Sequence, residues 1–197
     1  GVFLLLCVFA APLSAHFASF PIGADSVSID TQGPTSGWLF SYSTSGQESL
    51  TLGHDPTVDS SSLLVRGLGA NAGRTSLIRL PLANWAADAG TGGYQYTDLA
   101  GTEGGVTSVA LESGSLSVQA SGANWPWDLA GPQDEVWVEF WIGEELYCAQ
   151  FAAGNSTISD NTTGLFSASS ASAPLECEEP VCGNGEHELG EECDDGN

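Results

Sequence analysis

The sequence predicts an all-β protein, a β-sandwich of jelly-roll type followed by a short disulfide-stabilised tail. Three observations predict it. Between about Phe20 and Cys177, Gly, Ser and Thr punctuate short apolar runs, and no stretch sustains a helical period. The runs recur at strand-like spacing with turn residues between them. Two pairs of runs are joined by Ser113-Gly114 and by Gly143-Glu144, which read as tight hairpins.

In chain order, the expected strands are Trp38 to Tyr42, Leu63 to Gly67, Thr75 to Leu80, Tyr94 to Asp98, Val106 to Glu112, Ser115 to Ala120, Val136 to Ile142 and Glu145 to Phe151. Asn84-Trp85-Ala86-Ala87-Asp88 reads as a helical turn. Asn155 to Ser172 is rich in Ser, Thr, Asn and Gly. It reads as a surface loop with a last short strand near Leu165-Phe166. Asn155-Ser156-Thr157 and Asn161-Thr162-Thr163 fit the glycosylation acceptor pattern. Gly101-Thr102-Glu103-Gly104-Gly105 precedes a strand and reads as a turn. A domain of this length buries about two-thirds of its unfolded surface, enough to fold alone.

The two ends read differently from the middle. Val2 to Ala11 is an unbroken apolar run of signal-peptide length, and Leu13-Ser14-Ala15 offers small residues before a cleavage point ahead of His16. The run is too short to span a membrane. A buried strand over Val2 to Phe9 is the alternative, but Ala11-Pro12-Leu13-Ser14-Ala15 is processing chemistry. Cys7 follows Leu4-Leu5-Leu6, where a lipid-attachment site wants small residues, so a lipoprotein is rejected. With no basic leader segment and no starting Met, the sequence is expected to be a fragment at both ends. The expected organisation is a signal peptide at 1–15, the sandwich at 16–170, a linker at 171–180 and the cysteine-rich start of a further module at 181–197.

Loss of Cys7 with the leader leaves Cys148, Cys177, Cys182 and Cys193, an even count that favours disulfides in an exported chain. Three pairings are open. Proximity favours Cys148–Cys177, closing the main domain, and Cys182–Cys193 within the tail, although either tail cysteine can instead pair beyond the sequence. The chain-entropy model assigns the first loop roughly 3.5 kcal/mol. A zinc site is the rival for the tail; the lack of a C-x-x-C pair and the mostly carboxylate ligands argue against it.

Asp and Glu number 25 against Arg66, Arg74 and Arg79, with no Lys, for a formal net charge of −22. Nucleic-acid binding needs cations to replace counterions on phosphate, so it is excluded, and anionic membrane surfaces are excluded likewise. Self-repulsion favours a soluble monomer and suits saline surroundings, where screening is short-ranged. A solvated acidic surface is the plain explanation of the charge, ahead of cation storage.

Candidate binding residues come from Val136 to Ile142. Alternation puts Val136, Val138, Phe140 and Ile142 on the core face and Trp137, Glu139 and Trp141 on the other. Two Trp flanking a carboxylate would make a flat platform for sugar rings. Trp125 and Trp127, around Pro126, are further candidates. The alternative is that the second face is covered by a loop such as Asn124-Trp125-Pro126-Trp127. Catalysis finds little support, and no catalytic residue is expected. His16, His54 and His187 are isolated, and the nucleophile-elbow, zinc-helix and phosphate-loop motifs are absent. Abundant carboxylates make any chosen hydrolytic pair uninformative.

The tail reads V-C-G-N-G-E-H-E-L-G-E-E-C-D-D-G-N from Val181 to Asn197. A segment this short and acidic holds a shape only through cross-links. It resembles the Myxococcus cysteine-rich repeat, a Notch-type disulfide repeat, at Cys182, Gly183, Asn184, Gly185, Glu188, Gly190, Glu191, Cys193, Asp194, Asp195, Gly196 and Asn197. Family members continue with further cysteines, so the module is cut short at Asn197. The resemblance implies a secreted or surface protein with no established catalytic activity. It also points to calcium, held by Asp194, Asp195 and Asn197 with Asn184, since hard oxygens suit that ion. An ordinary tight turn is the other reading of Asp194-Asp195-Gly196-Asn197. The middle resembles, more faintly, an uncharacterised β domain of secreted proteins from the same bacterial groups. It does so at Asp55-Pro56-Thr57, Leu80-Pro81, Gly93 to Asp98, Tyr147 to Phe151 and Cys177, and this implies no known activity.

The expected function is a secreted or cell-surface, non-catalytic adhesion or architectural module of unknown ligand. The alternatives are a carbohydrate-binding module and an accessory part of a larger secreted hydrolase. The expected partners are an extracellular polysaccharide or a surface protein.

Overall fold

Residues 18–177 are described by a computed structural model. Within them, fourteen strands form two sheets: β1 (Ala18–Pro21), β2 (Ala24–Asp30), β3 (Leu39–Thr44), β4 (Ser61–Leu68), β5 (Gly73–Arg74), β6 (Ile78–Leu80), β7 (Trp85–Asp88), β8 (Gly93–Thr97), β9 (Val106–Glu112), β10 (Ser115–Ser121), β11 (Glu135–Ile142), β12 (Glu145–Ala152), β13 (Thr157–Thr162) and β14 (Leu165–Ala171). The smaller sheet runs β1-β12-β11-β4, with β5 and β6 following one another along the outer edge of β4. The larger sheet runs β13-β14-β2-β3-β10-β9-β8-β7. The expected all-β sandwich is therefore present. Among the described residues no helix is long and apolar enough to cross a membrane.

Alternation builds the core. Leu63 and Val65 of β4, Val136, Val138, Phe140 and Ile142 of β11, and Tyr147, Ala149 and Phe151 of β12 point inward. They meet Val27, Ile29, Phe40, Tyr42, Val109, Leu111, Leu116, Val118 and Phe166 from the larger sheet. Tyr42 and Phe151 make an edge-to-face contact between the sheets at 6.4 Å. The core face expected for Val136 to Ile142 is the observed one.

Both expected hairpins form. Ser113-Gly114 joins β9 to β10, and Gly143-Glu144 joins β11 to β12, with Ile142 opposite Glu145. Gly114 and Gly143 take φ of 80° and 56°, which an L side chain disfavours, so the turns fall where glycine is available.

Four expectations need correction. β1 and β2 lie ahead of the first expected strand. The strand expected over Thr75 to Leu80 is confined to Ile78–Leu80. The helical turn expected at Asn84 to Asp88 is a 3₁₀ turn at Leu82–Asn84 followed by β7, because Trp85 turns into the core and its Nε1 donates to Ser61 Oγ at 3.0 Å. The loop expected over Asn155 to Ser172 is largely the β13–β14 hairpin. There Asn155 accepts from Ala152 N, and Asn161 both accepts from Gln133 N and donates to Gln133 O. Both acceptor asparagines are thus tied to the fold.

β1 is joined to β2 through Ile22-Gly23, yet the two belong to different sheets. β1 runs parallel to β12, with Ala18 opposite Glu145 and Pro21 opposite Cys148. At the other end, residues 172–177 of the expected linker return to the sandwich, where Cys177 bonds to Cys148 with a Cα separation of 5.7 Å.

Candidate functional site

The outward face of the smaller sheet carries Trp137, Glu139, Trp141 and Cys148 of the residues singled out in the sequence. Residues opposite each other in a ladder share a face, so the registers give four rows across this face, the last of them Leu68, Glu135 and Ala152. The first row is Arg79, Ser62, Trp141 and Leu146. The second is Leu64, Glu139, Cys148 and Pro21. The third is Arg74, Arg66, Trp137 and Gln150.

This face is covered. Trp137 and Trp141 are each 3 % exposed and Glu139 is 5 % exposed. Trp137 and Trp141 pack with Leu146, Cys148 and Cys177, and the half-buried Leu68 adds to this second, smaller apolar cluster. Arg66 links the rows. Its Nε donates to Glu139 Oε1 at 2.7 Å, and its guanidinium lies 5.3 Å from the centre of the Trp137 ring. The pair is nearly enclosed, so it is held by hydrogen bonding and ring contact as well as by charge. The buried Nε1 of Trp137 has no hydrogen-bond partner among the described residues.

Trp137, Glu139 and Trp141 do share one face, as alternation requires, but they do not form an open stacking platform. A sugar ring needs an accessible ring face, and burial removes it. Trp125 and Trp127 are not on this face. They belong to the main core, at 1 % and 5 % exposure. Trp125 stacks on Phe40 at 4.6 Å and 11°. Trp127 fills the space over Gly67, where an added Cβ would come within 2.9 Å of the Trp127 ring. Their loop is therefore a lid on the inter-sheet core and does not cover Trp137 and Trp141.

At the first-row end of this face lies a cleft of about 530 Å³. Its wall includes Ser60, Ser62, Arg79, Leu82, Glu103 and Trp141. Arg79 is exposed, while Ile78 and Leu80 on either side turn inward. Guanidinium, carboxylate, hydroxyl and indole around one cavity can orient a hydroxyl-rich ligand. Among the described residues, no serine of this wall is hydrogen-bonded to a histidine or carboxylate.

Elsewhere, two exposed loops fold around carboxylates. Asp55 accepts from the Thr57 hydroxyl and amide, and Asp98 from the Thr102 hydroxyl and amide. These hydrogen bonds, the threonine hydroxyls foremost, hold both carboxyls below the usual Asp range. Burial pushes the Tyr42, Tyr96 and Tyr147 phenols up; Glu145 beside Tyr147 acts in the same direction. No group of three or more His, Cys, Asp or Glu side chains gathers as a metal site among the described residues. Asn184, Asp194, Asp195 and Asn197, expected for calcium, and Cys182 and Cys193 lie outside the described residues, as does the expected signal peptide.

Sequence reasoning missed the partners on this face. Arg66, Arg74 and Arg79 entered only as charge, and Glu103 only as part of a turn. Parity within β4 carried a signal: Arg66 sits between Val65 and Gly67, out of phase with the inward Leu63 and Val65. The pairing of Arg66 with Arg74 and of Ser62 with Arg79 depends on register and carries no local signal. Comparison with models of known protein families, with curated proteins and with solved structures finds no match.

Proposed function

We propose that the chain is a secreted or cell-surface module without catalytic activity that serves adhesion or architecture. The observation behind this reading is the Cys148–Cys177 disulfide. A structural disulfide persists in an oxidising compartment and is rare in the cytosol. It also fastens the segment after the last described strand to β12 of the opposite sheet. A module that joins neighbouring parts of a larger assembly benefits from such an anchored exit. The acidic balance supports a soluble, non-associating unit.

The test is made on the native source. Surface labelling with an antibody to the sandwich should be equal on intact and permeabilised cells. Differential alkylation should find Cys148 and Cys177 joined. Free thiols in cytosolic material would overturn the proposal.

The cleft beside Trp141 favours a second reading, a carbohydrate-binding module. Here Arg79, Glu103 and the serines would hold hydroxyl groups beside the largely buried Trp141. Binding on a glycan array that is lost with Glu103→Ala supports it. An array empty for the parent chain removes it and leaves the architectural reading standing.

A further inference from the structure

The cleft beside Trp141 brings together two opposite charges that do not use each other. Arg79 of β6 and Glu103 of the loop ahead of β9 both line it, and neither forms an ion pair among the described residues. Arg79 is exposed and Glu103 is half-buried. Ser62, opposite Arg79 on one side and Trp141 on the other, lines the same cleft. Ser62 is only 3 % exposed, yet its hydroxyl makes no hydrogen bond among the described residues. A hydroxyl this buried is costly to leave unpaired, and the cleft is where a partner can reach it. Ser61 beside it accepts from Trp85 Nε1, which leaves its own hydroxyl hydrogen to give.

The acidic end of the cleft is reinforced. Asp98 accepts from the Glu103 amide, so a second carboxylate stands next to Glu103. Burial raises the Tyr96 phenol first, and the charges of Asp98 and Glu103 raise it further.

Three observations select the occupant. Trp141, the aromatic of the wall, is 3 % exposed, so a ligand gains little from ring stacking and must be held by polar and charged contacts. A net charge of −22 repels an acidic ligand and draws a cationic one. A bare cation would use Glu103 alone, whereas Arg79 and the serine hydroxyls are donors that call for ligand oxygens. The volume of about 530 Å³ falls within the roughly 300–1,000 Å³ usual for small-ligand sites.

We propose that the cleft takes an amino sugar with a free ammonium group, the ammonium against Glu103 and the sugar oxygens on Arg79 and Ser62. This rests on the carbohydrate reading of the cleft and names the class of sugar. Glu103 supplies the charge selection, and Arg79 with Ser62 supplies the recognition of the ring.

The test is calorimetric titration of the full chain with three oligomers of equal length: glucosamine, N-acetylglucosamine and glucose. The glucosamine oligomer should bind at least ten-fold more tightly than the other two. Glu103 makes no side-chain hydrogen bond among the described residues, so Glu103→Gln keeps the fold while removing the charge. It should weaken glucosamine binding by about ten-fold and leave the other two oligomers unchanged. Ser62→Ala should weaken glucosamine binding by about five-fold, the effect of one hydrogen bond. Asp160→Asn removes an equal charge from exposed β13, at the opposite edge of the larger sheet from β7 and β8, and should change affinity by less than two-fold.

Equal binding of all three oligomers, lost with Glu103→Gln, would overturn the ammonium assignment and leave the carbohydrate reading in place. No binding of any oligomer would remove both. Equal weakening by Asp160→Asn and Glu103→Gln would show attraction to the acidic molecule as a whole and would also overturn the proposal.

Discussion

Removal of the Cys148–Cys177 cross-link by Cys148→Ala with Cys177→Ala has a magnitude set by the fold. The cysteines are 29 residues apart. In the chain-entropy model, opening a loop of that size frees about 12 cal/mol/K in the unfolded chain, or about 3.5 kcal/mol at 25 °C. The native state loses something as well, because Cys177 packs against Trp137, Trp141 and Leu146. A domain of this size has an unfolding entropy of about 0.34 kcal/mol/K, so the midpoint temperature should fall by about 10 °C. With a urea slope of about 2 kcal/mol/M, the urea midpoint should fall by roughly 1.7 M. The assay is equilibrium urea unfolding followed by tryptophan emission, run beside a thermal melt. Acrylamide quenching of the folded variant should rise, since its outward tryptophans lose part of their cover. A loss under about 1 kcal/mol with unchanged quenching would refute both the entropic argument and the packing of Cys177 on these tryptophans.

Glu139→Ala should cost about 3–5 kcal/mol, because it removes the carboxylate that accepts from the nearly enclosed Arg66. Arg66→Met with Glu139→Leu should recover most of that, and urea unfolding that shows equal losses for the two variants would contradict the pairing. Trp125→Ala should destabilise by about 3–5 kcal/mol through loss of its stack on Phe40, checked by thermal unfolding. In alkaline titration, Tyr42, Tyr96 and Tyr147 bind their protons more tightly folded than unfolded. Their contribution to stability is full below about pH 10 and is lost as pH rises through the raised folded values. Phenolate absorbance for these residues should therefore rise together with loss of near-ultraviolet dichroism, and ionisation near pH 10 in a retained fold would disprove their burial. Gly67→Ala should cost about 1–3 kcal/mol by driving a methyl into Trp127 and Gln133, measured in the same urea assay.

The fold is legible where alternation and turn chemistry agree. Val106–Glu112 reads with its observed ends, and the two hairpins at Gly114 and Gly143 announce themselves through glycines that take positive φ. Thr157–Thr162 is not legible. Its sequence TISDNT has one apolar residue and lies at a sheet edge, so there is little burial to pattern it. Ala24–Asp30 does carry alternation, with Val27 and Ile29 inward, but its serines and aspartates resemble a loop in composition. Trp85–Asp88 reads wrongly as a helical turn because Ala86 and Ala87 favour helix, while the pairing with β8 and the Trp85 bond to Ser61 decide the outcome.

The candidate site is legible only in its parts. Sequence parity correctly puts Trp137, Glu139 and Trp141 together. Their burial is not visible, because Cys177, which packs with them, lies beyond the last described strand. The Arg66–Glu139 pair joins residues far apart in the chain and rests on the β4–β11 register.

The placement of β1 has a consequence for the order of folding. The first described strand pairs in parallel with Glu145–Cys148, near the far end of the described chain. Local hairpins such as β9–β10 and β11–β12 close short loops and form early, whereas this seam is among the most non-local in the molecule. A chain emerging from its amino end therefore holds β1 unpaired until β12 is available, and in a full-length chain the outer edge of β12 stays open until these distant segments meet. During refolding that edge, with its row of unpaired amides and carbonyls, is the place where a second chain would insert its own first strand.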